Sequence, residues 1–289
     1  MTRRDILTAL PVAFADDGAL DLEGSRRIAQ YVATSGNEGA FVLGTTGEFV
    51  SLSLEERGEI ARLAMEELAP HMRVVVHVGA ASLYEVRRLI QQARDVGATE
   101  VAVLTPYYLP CTDVALRHFF REVSAASDGL QAYVYVYRKR TGNFVSTELM
   151  AEIAQLPNFV GAKVSEEPLE QIAAYRAVVP DSFLIYTGAD RELLTAADHG
   201  ADGVISGVSS VLPKPFRAAV AAAEHGDEAV MSAAQADIDD AVSAIGGDMA
   251  RMKAAYKLLG VDGGTTRMAI EPPSAEALEL IARAVERHA

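Results

Sequence analysis

Short apolar segments recur along this 289-residue chain, and each is followed by a stretch with helical periodicity. Several of these segments are nearly continuous apolar runs, which is typical of parallel strands covered on both faces. Regular alternation of strands and helices predicts an α/β fold with a parallel sheet. The predicted strands are Ile6–Phe14, Gly39–Leu43, Arg73–Val78, Glu100–Leu104, Ala132–Tyr137, Phe159–Val164, Phe183–Thr187 and Gly203–Ser206.

The stretches between the strands carry signals for helix starts and ends. Ser53 with Glu56, and Ser82 with Glu85, form S-x-x-E patterns that predict capping boxes. Gly97 stands just before the next strand, at a position where glycine commonly ends a helix. Three further side chains are predicted N-caps of later helices, namely Thr112, Ser146 and Asp190.

Eight strand–helix units in roughly 220 residues fit a (β/α)8 TIM barrel, whose usual length is about 250 residues. A doubly wound open sheet is the alternative. It is disfavoured because the first strand lacks a G-x-G-x-x-G turn and because the repeat continues past six strands. We therefore predict a barrel over residues 1–225 and an appended C-terminal helical segment over residues 226–289, packed on the barrel in a single structural unit.

The charge balance of the chain narrows the classes of function. It has 26 lysine and arginine residues against 40 aspartate and glutamate residues, which gives a formal net charge of −14. Such a field repels phosphate backbones and anionic lipid headgroups, so we expect neither a nucleic acid nor a membrane as a partner. The single cysteine, Cys111, cannot form an intrachain disulfide, which fits a reducing compartment.

The N-terminal residues allow two interpretations. Arg3 and Arg4 precede an apolar run over residues 6–15 that ends in Ala-Phe-Ala, a pattern shared with secretory signals. Asp5 and Pro11 interrupt that pattern and favour a buried first strand. The sequence has no other run of about 20 apolar residues that would predict a membrane span. We therefore expect a cytoplasmic protein.

Lys163 is the first candidate for catalysis, because barrel enzymes carry their chemistry at the carboxyl ends of the strands. Of the lysines in the sequence, it alone lies in an apolar strand, and it stands near that strand's end. Burial disfavours the ammonium form and lowers the pKa of a lysine, and a neutral amine can attack a carbonyl carbon to form a Schiff base. Alternatively, Lys163 reaches solvent at the barrel rim or pairs with an acid such as Glu166.

Two further groups of residues could contact a substrate. Residues 44–48, Gly-Thr-Thr-Gly-Glu, offer backbone N–H groups and hydroxyls that suit a carboxylate or phosphate, although a plain polar turn also fits. Tyr133, Tyr135 and Tyr137 alternate along the fifth strand, where a phenol can serve packing or proton transfer. The cationic triplet Arg138–Arg140 follows, either as a solvated loop or as a site for an anionic substrate.

No metal or nucleotide motif accompanies these residues. The six histidines lack H-E-x-x-H or paired-cysteine spacing, and the sequence has neither a Walker loop nor a G-x-S-x-G elbow. We therefore expect neither a metal nor a cofactor.

Taken in order along a barrel, the motifs resemble the dihydrodipicolinate synthase/N-acetylneuraminate lyase superfamily. The resemblance covers nearly the whole chain, including its helical C-terminal part, and implies a pyruvate-dependent lyase or synthase of the Schiff-base aldolase type. It also implies a homo-oligomer, either a dimer or a tetramer built as a dimer of dimers. The motifs that carry it are Gly44–Glu48, Thr105–Tyr108, Tyr135–Gly142, Gly161–Lys163, Gly188–Asp190 and Gly203–Ser206.

The resemblance implies roles for individual residues. A 2-oxo acid such as pyruvate would bind covalently at Lys163, and Tyr135 would relay protons. Thr45 would link Tyr135 to Tyr108 of a neighbouring subunit. Thr46 and Gly47, together with Thr45, would bind the carboxylate of the oxo acid, and the backbone of Ile205 would contact the same ligand. Arg140 would bind the carboxylate of aspartate semialdehyde, which is the second substrate of the synthases.

The sequence departs from the family pattern directly after Tyr135. Many members continue with asparagine, an aliphatic residue and proline, whereas this chain has Val136, Tyr137 and Arg138. The missing proline changes the loop, so Tyr137 could take the place of Tyr135 at the imine. Arg138 and Lys139 could equally serve an acidic partner other than aspartate semialdehyde.

The implied activity closest to the motifs is that of a 4-hydroxy-tetrahydrodipicolinate synthase, acting on pyruvate and a small aldehyde. The alternatives are an aldolase or dehydratase for 2-keto-3-deoxy sugar acids and an N-acetylneuraminate lyase-like enzyme. Phe49, directly after Glu48, also occurs in some sugar-acid members. A catalytically silent sensor that binds an oxo acid is a hypothesis of a different class, motivated by the altered loop after Tyr135.

Overall fold

The computed structural model describes residues 3–289, in which eight strands close into a barrel in the order β1 to β8. Neighbours in the barrel are also neighbours in sequence, so the predicted (β/α)8 class is confirmed and the open-sheet alternative is wrong. The strands are β1 (Asp5–Ala9), β2 (Gly39–Val42), β3 (Arg73–His77), β4 (Glu100–Leu104), β5 (Gln131–Val136), β6 (Phe159–Val164), β7 (Leu184–Thr187) and β8 (Gly203–Ser206).

Helices connect the strands and continue after the last strand. Within the described part of the chain, none of them is both long and apolar enough to cross a lipid bilayer. They are α1 (Leu22–Ala33), α2 (Leu54–Glu67), α3 (Leu83–Asp95), α4 (Asp113–Ala126), α5 (Arg138–Thr141), α6 (Thr147–Ile153), α7 (Leu169–Arg176), α8 (Val208–Val211), α9 (Pro213–His225), α10 (Glu228–Ile245), α11 (Met249–Leu258) and α12 (Ala275–His288), with short 3-10 turns at Phe49–Ser51, Asp190–Glu192 and Thr195–His199.

The predicted helix starts are mostly confirmed. At α2, Ser53 Oγ accepts from the Glu56 N–H and the Glu56 carboxylate accepts from the Ser53 N–H, which completes the capping box. At α3 the box is only half formed, because the Glu85 carboxylate accepts from the Ser82 hydroxyl rather than from its backbone. The two other confirmed N-caps are Thr112 at α4 and Ser146 at α6.

The predicted end of the first strand and one predicted N-cap are wrong. The first strand ends at Ala9 rather than at Phe14, because Pro11 has no backbone N–H with which to extend a strand ladder. The apolar residues beyond it are buried in a loop instead. Asp190 does not cap an α-helix, since it is itself the first residue of a 3-10 turn that begins after Ala189 and has no side-chain cap.

The chain forms two compact units, one of residues 5–74 with 205–289 and the other of residues 75–204 with residues 3 and 4. In the first unit, α10 packs on α9 and α12, and α11 packs on α8 and α12. The Tyr256 hydroxyl of α11 donates to the Ser210 carbonyl oxygen at 2.8 Å. The C-terminal helices therefore belong to the same compact unit as β1 and β2. The predicted division at residue 225 stays a prediction.

In the second unit, the register of β5, β6 and β7 determines which side chains meet. Tyr135 on β5 is paired with Lys163 on β6, and Lys163 is paired with Tyr186 on β7. Two residues before Lys163, close packing of β6 against its neighbouring strands depends on the absence of a side chain at Gly161. A Cβ atom there would lie 2.5 Å from the Leu184 carbonyl oxygen and 2.6 Å from the Tyr133 ring.

We expect Gly161→Ala to lower the free energy of unfolding by about 1–3 kcal/mol, because the added methyl group meets a backbone carbonyl that cannot easily move. Denaturant titration followed by circular dichroism measures this change. Gly247→Ala is the matched control, since a Cβ atom at Gly247 meets no atom within 4 Å. Equal stability of the two variants would contradict the prediction.

Candidate active site

Lys163 is the penultimate residue of β6, and only 5 % of its surface is exposed. It lies between two tyrosine-bearing strands, with Tyr135 on one side and Tyr186 on the other. Its Nζ atom is 4.5 Å from the centroid of the Tyr135 ring. The predicted burial of this lysine in an apolar strand is therefore confirmed.

Burial lowers the pKa of Lys163 from 10.5 to about 7. The carboxylate of Asp190, in the turn after β7, acts in the opposite direction but does not cancel the effect of burial. Near pH 7, roughly half of these amines are neutral, whereas an ordinary exposed lysine is neutral in about one molecule in a few thousand. The predicted direction of the pKa shift is confirmed, and the side chain can act as a nucleophile at neutral pH.

Tyr135 is the phenol of β5 that lies against Lys163. It is 1 % exposed, and its ring meets His77 of β3 edge to face, with ring centroids 5.7 Å apart. Tyr133, two residues earlier, donates its hydroxyl proton to Glu100 at 3.0 Å. Of these two phenols, Tyr135 is therefore the one whose ring lies beside the amine, whereas the Tyr133 hydroxyl is bonded to Glu100.

Tyr137 lies one residue beyond the end of β5, although the predicted strand included it. Its hydroxyl donates to one oxygen of Glu166, and it accepts a hydrogen bond from Arg140 Nε at 3.3 Å. The other oxygen of Glu166 is 3.2 Å from Lys139 Nζ. Burial is the main cause that raises the pKa of Tyr137, so the phenol keeps its proton. Glu166 thus contacts Tyr137 and Lys139 rather than serving as the predicted alternative partner of Lys163.

The three cations of the predicted anion site have different surroundings. The Arg138 guanidinium stacks on the Phe144 ring at 5.1 Å from its centroid. Lys139 forms the ion pair with Glu166. The Arg140 guanidinium lies over the Tyr137 ring, 5.7 Å from its centroid, and its side chain is exposed. Of the three, Arg140 is therefore the cation whose guanidinium lies beside Tyr137.

The loop after β4 is held by Asn143, a residue that the sequence analysis did not single out. Its side-chain amide donates to the carbonyl oxygens of Pro106 and Leu109 at 2.7 and 3.1 Å. Its side-chain oxygen accepts from the Cys111 N–H at 2.6 Å. Tyr108 lies in this loop and is 92 % exposed, so it does not join the buried group around Lys163 in its own chain. Its predicted role in a neighbouring subunit stays a prediction.

The Gly-Thr-Thr-Gly-Glu loop lies in the other compact unit, directly after β2. Tight turns fold it back on itself, because the Gly47 N–H donates to the Gly44 carbonyl and the Glu48 N–H donates to the Thr45 carbonyl. A Cβ atom on Gly207 would lie 2.5 Å from Met252 Cε, so the glycine after β8 makes room for that side chain, whereas its 3.5 Å distance from Thr46 Oγ1 is an ordinary contact. Ile205 of β8 is 4 % exposed.

The same loop is tied to the C-terminal helices by a buried ion pair that the sequence analysis missed. Glu48 and Lys253 of α11 have side chains 0 % and 4 % exposed, and the two charged groups are 3.1 Å apart. The second Glu48 oxygen accepts from the backbone N–H groups of Arg267 and Met268 at 2.9 and 2.8 Å. Lys253 also donates to the Thr265 carbonyl. These contacts hold the loop that carries Thr45 and Thr46.

Backbone strain marks the same set of loops. In the described chain, the non-glycine residues with positive φ are Leu43 at 61°, Glu48 at 50°, Tyr108 at 79° and Glu166 at 56°. They follow β2, β4 and β6, at the strand ends where barrel enzymes carry their chemistry. Such conformations cost about 1–3 kcal/mol each and concentrate at functional sites. The strain therefore supports a functional role for the loops after β2, β4 and β6, each taken by itself.

A closed (β/α)8 barrel with a desolvated lysine at the carboxyl end of a strand provides the nucleophile that a lyase of the Schiff-base aldolase type requires. The chain belongs to the Dihydrodipicolinate synthetase family, whose model matches residues 2–288.

Individual relatives agree with this family. The 4-hydroxy-tetrahydrodipicolinate synthase of Methylococcus capsulatus is 33 % identical over 227 residues, which cover 78 % of either chain. A solved dihydrodipicolinate synthase, described as the first monomeric variant, is 29 % identical with a TM-score of 0.90 and covers 99 % of this chain and 97 % of its own. The N-acetylneuraminate lyase of Mycoplasma synoviae shares the fold, with a TM-score of 0.88 at 23 % identity over 99 % and 98 % of the chains.

We expect Lys253→Met to lower the free energy of unfolding by about 3–5 kcal/mol, because it leaves the fully buried Glu48 carboxylate without its counter-charge. Guanidinium denaturation measures the loss. The double variant Lys253→Met/Glu48→Gln removes both charges and should regain about half of it. A loss below about 1 kcal/mol in the single variant would show that the ion pair contributes little.

Proposed function

We propose that this protein joins a 2-oxo acid of the pyruvate type to a small aldehyde, or cleaves the product in reverse, through a Schiff base at Lys163. The observation that carries the proposal is the burial of this lysine, which lowers its pKa to about 7 at the carboxyl end of β6. No metal or cofactor is required, since the protonated imine itself accepts electrons from the adjacent carbon.

The reaction begins when the neutral Lys163 amine attacks the ketone carbon of pyruvate. Loss of water from the resulting carbinolamine gives a protonated imine, and loss of a proton from the methyl carbon gives an enamine. The enamine carbon then forms a bond to the aldehyde carbon, whose oxygen takes up a proton. Water finally hydrolyses the imine and returns the free lysine. Tyr135 is the proposed proton relay, supported by the 4.5 Å between its ring and Lys163 Nζ.

The remaining roles come from the family resemblance. Thr45, Thr46 and the backbone at Gly47 are proposed to bind the carboxylate of the oxo acid, and the backbone of Ile205 is proposed to contact the same ligand. Tyr108 is proposed to act in a neighbouring subunit, since its side chain is exposed in its own chain. The proposed assembly is a homodimer or a dimer of dimers.

The aldehyde that best fits is aspartate semialdehyde, which would make the protein a 4-hydroxy-tetrahydrodipicolinate synthase. The relative from Methylococcus capsulatus carries that name, and Arg140 occupies the position of the family's carboxylate-binding arginine. The test compares condensation of pyruvate with aspartate semialdehyde against cleavage of 2-keto-3-deoxygluconate. Turnover of the sugar acid alone would assign the protein to the aldolases of 2-keto-3-deoxy sugar acids.

We expect sodium borohydride to trap a pyruvyl adduct on Lys163 when the protein is incubated with pyruvate, because reduction makes the imine permanent. Mass spectrometry of proteolytic peptides identifies the modified residue. Lys253 is an internal control, since it is also buried but is paired with Glu48. Lys163→Arg should abolish the adduct and preserve the fold. An adduct on any other lysine, or none at all, would refute the proposal.

The rate of adduct formation should rise with pH through about 7, because the folded-state pKa of Lys163 is lowered to that value and only the neutral amine attacks. Below pH 6 we expect about a tenfold increase per pH unit, and above pH 8 a plateau. Stopped reduction at a series of pH values measures this profile. A rate that keeps rising to pH 10 would show an amine of ordinary pKa.

A further inference from the structure

We propose that Tyr137 is a positioning residue, anchored by Glu166, that orients the Arg140 guanidinium toward the carboxylate of the second substrate. This inference rests on the proposed function and adds to it a positioning role for two residues, Tyr137 and Glu166. Neither residue is assigned to the reacting atoms.

The first support is a directed chain of hydrogen bonds. Arg140 Nε donates to the Tyr137 oxygen at 3.3 Å, and the Tyr137 hydroxyl donates onward to the Glu166 carboxylate. An arginine side chain has five N–H donors, and the hydrogen bond to Tyr137 uses only the Nε–H, which is the donor nearest the aliphatic stem. Within the described residues, the two terminal NH2 groups of Arg140 have no hydrogen-bond acceptor. These groups form the planar fork that binds a carboxylate through two parallel hydrogen bonds.

The second support is the distribution of charge around the fork. Glu166 neutralises Lys139 at 3.2 Å, and Arg138 is stacked on Phe144. Both neighbouring cations are therefore already engaged with groups of this protein. An incoming carboxylate meets one oriented guanidinium rather than three mobile cations, which restricts both its position and its angle.

The third support is the backbone of Glu166, which has a positive φ of 56° although it is not glycine. A strained residue of this kind persists only where the surrounding contacts hold it. Here its carboxylate bonds to the Tyr137 hydroxyl and to Lys139, two groups that follow β5. The strained conformation directs the acid across to the neighbouring strand end, three residues after Lys163.

Tyr137→Phe keeps the ring and its packing and removes only the hydroxyl. With aspartate semialdehyde as the probe, we expect its KM to rise about tenfold, because Arg140 loses its orienting bond. The KM of pyruvate and the yield of the borohydride-trapped adduct should stay within about twofold of the wild-type values. Steady-state kinetics and mass spectrometry measure the three quantities.

Tyr133→Phe is the matched control, because Tyr133 also donates to a carboxylate, Glu100, but lies at the other end of β5. It should change none of the three quantities. Glu166→Gln keeps an acceptor for the phenol and should raise the KM of the aldehyde less than about threefold, whereas Glu166→Leu should reproduce the effect of Tyr137→Phe.

A double-mutant cycle separates positioning from a merely structural role. Arg140→Ala alone should raise the KM of aspartate semialdehyde at least as much as Tyr137→Phe does. In the Arg140→Ala background, Tyr137→Phe should then change that KM by less than about twofold, since no guanidinium remains to be oriented. Additive effects of the two substitutions would overturn the inference.

The remaining outcomes also decide it. A Tyr137→Phe enzyme with a lower kcat or less trapped adduct, but an unchanged KM for the aldehyde, would place the phenol at the imine and overturn the inference. A wild-type enzyme that forms the pyruvyl adduct but prefers glyceraldehyde to aspartate semialdehyde, or uses neither aldehyde, would also overturn the inference. That result would still support the proposed Schiff base at Lys163. Absence of any pyruvyl adduct in the wild type would instead refute the proposed function itself, and the inference with it.

Discussion

The exclusion of water from one amine is the constraint on which the chemistry of this protein depends. Lys163 lies between β5 and β7, and burial brings its pKa down from 10.5 to about 7 against the opposing influence of Asp190. A shift of this size corresponds to roughly 5 kcal/mol against the charged form. The net stability of a domain is only about 5–15 kcal/mol, so the apolar strands around the lysine have to offset a cost of the same order.

Strand β5 and the residue after it supply three phenols, and the structure gives each a different partner. Tyr133 donates to Glu100, Tyr135 lies against the buried amine, and Tyr137 joins a carboxylate to a guanidinium. Because side chains alternate along a strand, all three point to the same face, and the position of each along the strand determines which groups it contacts. Within five residues, Tyr133 therefore makes a structural contact, Tyr135 lies beside the buried lysine, and Tyr137 makes a polar contact in the loop after β5.

The fold could be predicted from the sequence because each buried strand leaves its own local apolar run. Lys163 was found in the same way, as a cation inside such a run. The end of β1 was missed because the apolar run continues past Pro11 into a loop that is buried as well. The pair of Glu48 and Lys253 was missed for a different reason. Two charges more than two hundred positions apart give no local pattern, and only the folded chain brings them together.

The partners of the buried Glu48 carboxylate lie far downstream in the sequence, which matters while the protein is being translated. Its counter-ion lies 205 positions later, and the N–H groups that bind its second oxygen lie 219 and 220 positions later. At roughly 5–20 residues per second, a ribosome needs about 10–40 s to add that length. Throughout this interval the nascent polypeptide cannot complete the Gly-Thr-Thr-Gly-Glu loop. A product truncated before residue 253 therefore lacks all of these contacts permanently, however well its first strands have folded.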